Sequence, residues 1–499
     1  MNELLNRLAE RASTSPDAVS LESASEKLTA AGLLAEVGVF GEFLETANIK
    51  RLGLLAQNGP GWIIADLACQ FAGICLLPLP HFFSDTQLRS SMERAGVDAL
   101  MTDDSARLAR LIACREVRFD RGNARGLTLH KVVETAQPAI PDGTCKITFT
   151  SGTTGTPRGV CLDNAQQLRV AQALDEAVHI KNPRHLCLLP LSTLLENIGG
   201  VYSPLLAGGT VIVPTGEEIG LSGAAGLDIP KMLGALEKYQ PTSLILLPQM
   251  LAALVAAIRN GWTPPSSLIF AAVGGGKVAP DLIHAARAGG LPVFEGYGLS
   301  ETASVACLNR PGCDAPGSVG KPLGHVDISI DNGEIIVRGN PFLGYVDDPA
   351  SWYARSVATG DLGCLDPQGF LYINGRKKNV LISSFGRNIN PEWVESQLMN
   401  HPLLAQCLVF GDARPCCVAL VVPANPACRD QEISELIDRV NSELPDYARV
   451  RNWHRLGDPL TTESGLLTDN GRPRRALIEQ RYAQIIESLY SSQLEVNAS

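Results

Sequence analysis

From about residue 50 to residue 300, short apolar, strand-like runs alternate with longer helical patterns, and this rhythm restricts the chain to few folds. The runs are KITFT (146–150), LCLLPL (186–191), GTVIVP (209–214), TSLILLP (242–248) and SLIFAAV (267–273). Between the last two lies QMLAALVAAIRN, broadly apolar on one face and free of internal proline and glycine. Strand, helix, strand in that order predicts an α/β domain with a largely parallel sheet, because parallel neighbours need a crossover connection and a helix supplies it. Such sheets bind ligands beyond the carboxyl ends of their strands. The glycine clusters at 152–159, 274–276 and 296–298 each follow a predicted strand, so they are expected to converge on one crevice.

The pattern changes after residue 330. GEIIVRG and GFLYING read as short strands separated by turn chemistry at Asp366-Pro367-Gln368-Gly369, a β-rich subdomain closing the large domain. Gly375-Arg376-Lys377-Lys378-Asn379 is a polar break. Beyond it the chain restarts with VLIS, a helix at 391–399, strands at 405–410 and 417–422, and a helix at 431–443. This divides the chain into a large layered α/β domain, 1–376, and a small mobile α+β domain, 377–499. At 499 residues the chain exceeds what one core supports.

Composition narrows the function. A net charge of −10 argues against a nucleic-acid partner, which would demand a basic face. The 13 cysteines show no CxxC pair and no zinc spacing, and Cys69, Cys145 and the adjacent Cys416 and Cys417 read as buried thiols in a reducing cytoplasm. The histidines lack metal spacing too, and His130 and His284 read as surface or capping residues. The most apolar stretch, residues 67–80, falls short of the ~20 residues that span a bilayer. It reads as a buried helix feeding a strand, and no transmembrane segment is expected.

The sharpest motif is Thr148-Phe-Thr-Ser-Gly-Thr-Thr-Gly-Thr-Pro-Arg-Gly159. Glycines let backbone N–H groups turn inward as an anion nest, and the hydroxyls add donors for phosphate oxygens. A Walker loop is excluded, since Pro157-Arg158-Gly159 stands where Lys-Ser or Lys-Thr would be needed. The run resembles the phosphate-binding signature of the adenylate-forming superfamily, which includes acyl-CoA synthetases, luciferases and peptide-synthetase adenylation domains. Further motifs of that family recur in order: Gly296-Tyr-Gly-Leu-Ser-Glu-Thr302, Gly333-Glu-Ile-Ile-Val-Arg-Gly339 with Gly344-Tyr345, Thr359-Gly-Asp-Leu-Gly363, and Gly375-Arg-Lys-Lys378.

The resemblance implies roles. Thr150, Ser151, Gly152, Thr153, Thr154, Gly155 and Arg158 would hold the phosphates of ATP. Glu301 would bind magnesium, and Gly274, Gly275, Gly276, Tyr297, Gly298 and Ser300 would face the nucleotide. Asp361 and Arg376 would hold the ribose, Lys378 would be the pivot between domain positions, and Gly386 would border a thiol channel. The implied reaction joins a carboxylic acid to AMP with release of pyrophosphate, then passes the acyl group to coenzyme A or to a carrier protein's phosphopantetheine.

Two departures matter. The family's late catalytic lysine is replaced by Arg472, and no lysine follows Lys378 anywhere in the chain. Arginine keeps the charge but is wider and forked. Thr193, Leu194 and Leu195 stand where many members carry an aromatic or histidine gate. That lining favours a medium- or long-chain acyl group over an amino acid, whose ammonium would need a partner such as Glu196. The alternatives to a coenzyme A ligase are an enzyme loading an acyl carrier protein and a non-catalytic binder of nucleotide or acyl-adenylate.

Overall fold

The computed structural model describes residues 2–117, 125–133, 138–150, 158–222, 226–276, 278–384, 387–468 and 471–496. Two sheets and the helices between them form the large unit. The nine-stranded sheet has a parallel centre running Val293–Leu299, Phe270–Val273, Ser243–Leu246, Arg184–Leu186, Thr210–Ile212 and Val19–Glu22. Antiparallel strands flank it: Ser304–Leu308 and Lys321–Pro322 on one side, Lys27–Thr29 on the other. In the eight-stranded sheet, Lys146–Thr150, Cys75–Pro78, Arg51–Leu55 and Ala99–Thr102 run parallel. One apolar core draws Leu52, Val160, Val211 and Phe270 from both sheets and packs them against helices Ala30–Thr46, Pro60–Ala72 and Asn164–Val178.

A buried ionic cluster ties this core together. Lys146 Nζ lies 2.9 Å from Asp66 Oδ1, with Asn197 Oδ1 at 2.5 Å and Tyr202 Oη at 2.7 Å. Tyr202 and Asn197 in turn donate to Asp66 Oδ2 at 2.6 and 2.8 Å. With both charges almost fully buried, only this dense pairing makes the arrangement tolerable. It joins the helix Pro60–Ala72, the strand that leads toward the phosphate motif, and a π-helix at Asn197–Tyr202.

A four-stranded antiparallel sheet of Asp327–Asp331, Glu334–Arg338, Ser356–Leu365 and Leu371–Arg376 follows, where the sequence reads β-rich. Beyond a short turn at Lys377–Asn379 comes a three-stranded sheet of Leu404–Phe410, Cys417–Pro423 and Val450–Arg455. Helices Pro391–Met399 and Asp430–Glu443 share one of its cores, and Arg475–Arg481 and Ala483–Val496 share the other.

The structure corrects the sequence reading in three places. The run 186–191 is not a strand: the strand is Arg184–Leu186 and the chain then leaves the sheet. Pro190 has no N–H, while Leu189 N donates to Glu196 Oε2 and Leu191 N to Asn58 Oδ1, so side chains replace the ladder. Glycines 296 and 298 do not follow a strand but lie inside Val293–Leu299. His130 is buried, with Nε2 at 3.0 Å from Thr128 Oγ1 and 3.1 Å from Ser105 Oγ, and burial lowers its pKa. His284 is exposed, and all 13 cysteines are free thiols.

Candidate active site

The carboxyl ends of two neighbouring parallel strands build the crevice. Phe270–Val273 runs into Gly274-Gly275-Gly276, where Gly275 takes φ +80°. Val293–Leu299 brings in Tyr297 and Gly298, and one 3-10 turn, Ser300–Thr302, carries Glu301. The chain then doubles back through Ala303 at φ +58° and Ser304 at φ +110°. Gly298 has to be glycine, because a Cβ there would lie 1.8 Å from the Ser304 carbonyl oxygen.

Across the crevice stands Asp361, buried in the strand Ser356–Leu365 and opposite Arg376 in the ladder. Arg376 Nε pairs with Asp361 Oδ1 at 2.6 Å, and Tyr297 Oη donates to Oδ2 at 2.7 Å. Thr359 Oγ1 accepts from the Asp361 N–H at 3.0 Å and fixes the turn. Burial lifts the Asp361 carboxyl above its ordinary pKa, against the pull of Arg376 and Tyr297. A carboxylate with several acceptor sites, held at the mouth of a glycine-rich crevice, suits a pair of vicinal hydroxyls.

Cations gather here from the small unit. Thr468 Oγ1 accepts from Arg472 N at 3.0 Å, and the turn sends the guanidinium across to Gly275. Its Nη2 and Nε donate to the Gly275 carbonyl at 2.6 and 3.1 Å. Arg472 is exposed to solvent, but the crowding of protein atoms at the crevice mouth and repulsion from Arg376 lower its pKa, while Asp361, Glu392 and Tyr297 oppose that shift. Lys378, an exposed residue, lies in the same field: partial desolvation and Arg376 lower its ammonium, and Asp361 and Glu392 raise it. Glu392, held by Asn379 Nδ2 at 2.6 Å, is thus part of the site's electrostatics. The sequence carries no mark of it beyond its place after Pro391.

Glu301 is partly buried, and Tyr345 Oη donates to its Oε1 at 2.8 Å. One carboxylate with an oxygen to spare fits magnesium, which keeps most of its waters and takes few protein ligands. Arg158, expected on phosphate, lies over the Tyr345 ring at 3.6 Å from the centroid and pairs with Asp348 at 3.0 Å. Tyr345 belongs to the Gly344-Tyr345 motif but the sequence reading gave it no role, and Asp348 went unnoticed.

Of the acyl-pocket residues, Leu195 lines a largely apolar cavity of about 70 Å³, together with Leu174, Ile245, Phe270, Ala272 and Val305. Leu194 is buried in the core, and Thr193 Oγ1 donates to the Pro190 carbonyl at 2.7 Å. Glu196 is no free counter-ion for an ammonium: Oε1 lies 3.0 Å from His185 Nε2, and Oε2 accepts from Leu189 N at 3.1 Å. Gly276 follows the strand Phe270–Val273, and Ser300 opens the 3-10 turn Ser300–Thr302. Ser151, Gly152, Thr153, Thr154, Gly155 and Gly386 lie outside the described residues. Thr150 closes the strand Lys146–Thr150 opposite Arg158.

Comparison with known proteins places the chain in a family. Residues 8–346 match the AMP-binding enzyme family, and residues 378–494 match the AMP-binding enzyme C-terminal domain. The chain is 26% identical to the long-chain-fatty-acid–CoA ligase of Mycobacterium bovis, over 89% of this chain and 88% of that protein. It is 28% identical to the 2-succinylbenzoate–CoA ligase of Bacillus subtilis, over 82% of this chain and 85% of that one. The solved O-succinylbenzoate coenzyme A synthetase of Bacillus subtilis in complex with AMP superposes with a TM-score of 0.76 at 26% identity, covering 94% and 97% of the two chains. An anthranilate CoA ligase in complex with anthranoyl-AMP gives 0.81 at 18% identity over 97% and 98%, a likeness of fold alone.

Proposed function

The chain belongs to the AMP-binding enzyme family and is an AMP-forming acid–thiol ligase, and we propose that its acid is apolar, of medium or long chain, and is passed to coenzyme A in the cytoplasm. The observation that carries the site assignment is the meeting of Asp361, Arg376 and Arg472 around Gly275. Asp361 accepts the ribose hydroxyls of ATP while Arg376 holds the carboxylate in place. Arg472 sets a permanent positive charge where the acid's carboxylate attacks the α-phosphorus, because two anions must be brought together there. Pyrophosphate leaves, and acyl-AMP remains. The thiol then attacks the acyl carbonyl and AMP departs. Glu301 would hold magnesium, which when bound offsets the charge of the phosphates.

The cavity beside Leu195 supports an apolar acid. Its lining includes Ala272, two residues before Gly274, together with the exposed His179 and the half-buried Ile180. Free cysteines support the cytoplasm, and among the described residues no helix is long and apolar enough to cross a membrane.

The test is to incubate the protein with ATP, magnesium and a panel of aliphatic and aryl acids, with and without coenzyme A. Acid-dependent AMP and pyrophosphate in equal amounts are expected, with thioester only when coenzyme A is present. ADP and orthophosphate as main products would overturn the chemistry, and preference for short or aryl acids would overturn the substrate class. Thioester formed only on an acyl carrier protein would replace the acceptor.

A further inference from the structure

We propose that Tyr345 is a positioning residue for the metal centre: its hydroxyl aims the Glu301 carboxylate, and the Arg158 guanidinium on its ring face holds the tyrosine itself. The inference rests on the reading of Glu301 as a magnesium ligand. It adds a residue whose only link to the metal runs through that carboxylate.

A glutamate on a single 3-10 turn is a poor ligand unless something orders it. Its side chain has several torsions to freeze, at a cost of up to about 2 kcal/mol. The partly buried Glu301 has that order imposed from outside, by Tyr345 Oη at 2.8 Å from Oε1. Committing one oxygen to the phenol leaves the other to face a cation.

Tyr345 is in turn fixed on every side. Its strand, Gly344–Tyr345, pairs with Arg158–Leu162 at Val160. Its N–H donates to Ser351 Oγ at 2.9 Å, and its carbonyl accepts from Trp352 Nε1 at 2.8 Å. Phe342 packs edge-on against the ring, with centroids 4.6 Å apart. Gly344 sits at φ +138°, and a Cβ there would meet Trp352 Cδ1 at 2.4 Å, so the strand approaches as closely as glycine allows. On the open face lies Arg158, 3.6 Å from the ring centroid and anchored by Asp348 at 3.0 Å. A cation over the ring draws density from the phenol and makes its hydroxyl a better donor. The arginine that the sequence assigns to phosphate therefore also bears on the metal ligand.

The experiment separates positioning from mere packing. Tyr345→Phe keeps the ring beneath Arg158 and removes only the hydroxyl. Manganese binding to the enzyme with a non-hydrolysable ATP analogue is followed by electron paramagnetic resonance, and the magnesium dependence of pyrophosphate exchange is measured in parallel. Tyr345→Phe is expected to weaken manganese binding about fivefold, the worth of one hydrogen bond, and to raise half-saturating magnesium by a similar factor. Glu301→Gln is expected to weaken binding further. The double variant should bind no more weakly than Glu301→Gln, because the tyrosine acts only through the carboxylate. Unchanged metal affinity in Tyr345→Phe, with Glu301→Gln weakened, overturns the positioning role and leaves the magnesium assignment standing. Additive losses in the double variant also overturn it. If Glu301→Gln itself binds manganese normally, the magnesium assignment falls and the role of Tyr345 falls with it.

Discussion

Asp361 shows how one side chain can be legible in sequence while its energetics are not. Its position in Thr359-Gly-Asp marks it, but only the structure shows that Arg376 and Tyr297 take one oxygen each. Asp361→Asn keeps the shape and loses the charge that both partners address. Hydrogen bonds to a charged group are worth roughly 1.5–3 kcal/mol, so AMP affinity measured by calorimetry should fall about ten- to a hundredfold. Unaltered affinity would mean that the ribose is held elsewhere. Lys146 makes the opposite case. The sequence presents it as the first residue of an apolar strand, and its partners Asp66, Asn197 and Tyr202 come from distant segments, so no local pattern reveals the cluster. Lys146→Met strands Asp66 as an unpaired buried charge and should cost about 3–5 kcal/mol in urea unfolding. Replacing both members, as Lys146→Met with Asp66→Asn, should recover part of that loss. A loss in the double variant equal to the sum of the losses in Lys146→Met and Asp66→Asn alone would show that the pair does not act as a unit.

At the scale of elements, periodicity located most strands and helices because a parallel sheet buries both strand faces and leaves long apolar runs. It failed at 186–191, where Leu189 and Leu191 give their N–H groups to Glu196 and Asn58, which lie outside any local pattern. It failed again at glycines 296 and 298, where the glycines mark a close backbone approach within a strand rather than its end. That approach is testable. Gly298→Ala places a Cβ 1.8 Å from the Ser304 carbonyl oxygen, in a turn already holding Ala303 and Ser304 at positive φ. The backbone must shift, costing about 1–3 kcal/mol and displacing Tyr297 and Glu301 together. Thermal unfolding and pyrophosphate exchange should both suffer, and a variant of wild-type stability would show that the turn has slack. Acid sensitivity also belongs to this scale. Burial lowers the pKa of His81 and His130, and takes that of His325, just ahead of the strand Asp327–Asp331, from 6.5 to about 4. Between those limits the unfolded chain binds a proton that the fold refuses, so this stability is present above pH 6.5 and lost as pH falls toward 4. His325→Gln should flatten the decline across that window, as measured by urea unfolding at a series of pH values.

Taken whole, the chain beyond residue 377 reaches back to the crevice, an arrangement that the proposed role of Arg472 in the first half-reaction requires. Gly375, at φ +148°, packs so closely on Asn390 that a Cβ would meet its side chain at 2.4 Å, and Arg472 bridges to the Gly275 carbonyl. The sequence shows a polar break at 375–379 and an arginine in place of lysine, but not that the arginine spans the crevice, because contacts between units leave no period in either. If the small unit turns about Lys378 before the thiol attacks, the Arg472–Gly275 contact must break. Arg472 would then serve the first step and be a spectator in the second. Arg472→Ala removes a charge-assisted contact from a transition state where negative charge accumulates on the α-phosphate, a loss of roughly 2.7–4 kcal/mol or about a hundred- to a thousandfold in rate. Acyl-AMP formation should fall by that factor, while thioester formation from supplied acyl-AMP should stay within a few-fold of the parent. Arg472→Lys retains the charge and should recover most of the first step, although the ammonium cannot reproduce the forked grip on Gly275. Lys378→Pro restricts the pivot and should reverse the pattern, sparing acyl-AMP formation more than thioester formation. Single-turnover assays of the two half-reactions read these effects separately. Equal loss of both steps in Arg472→Ala would mean that the arginine holds the two units together rather than taking part in adenylation.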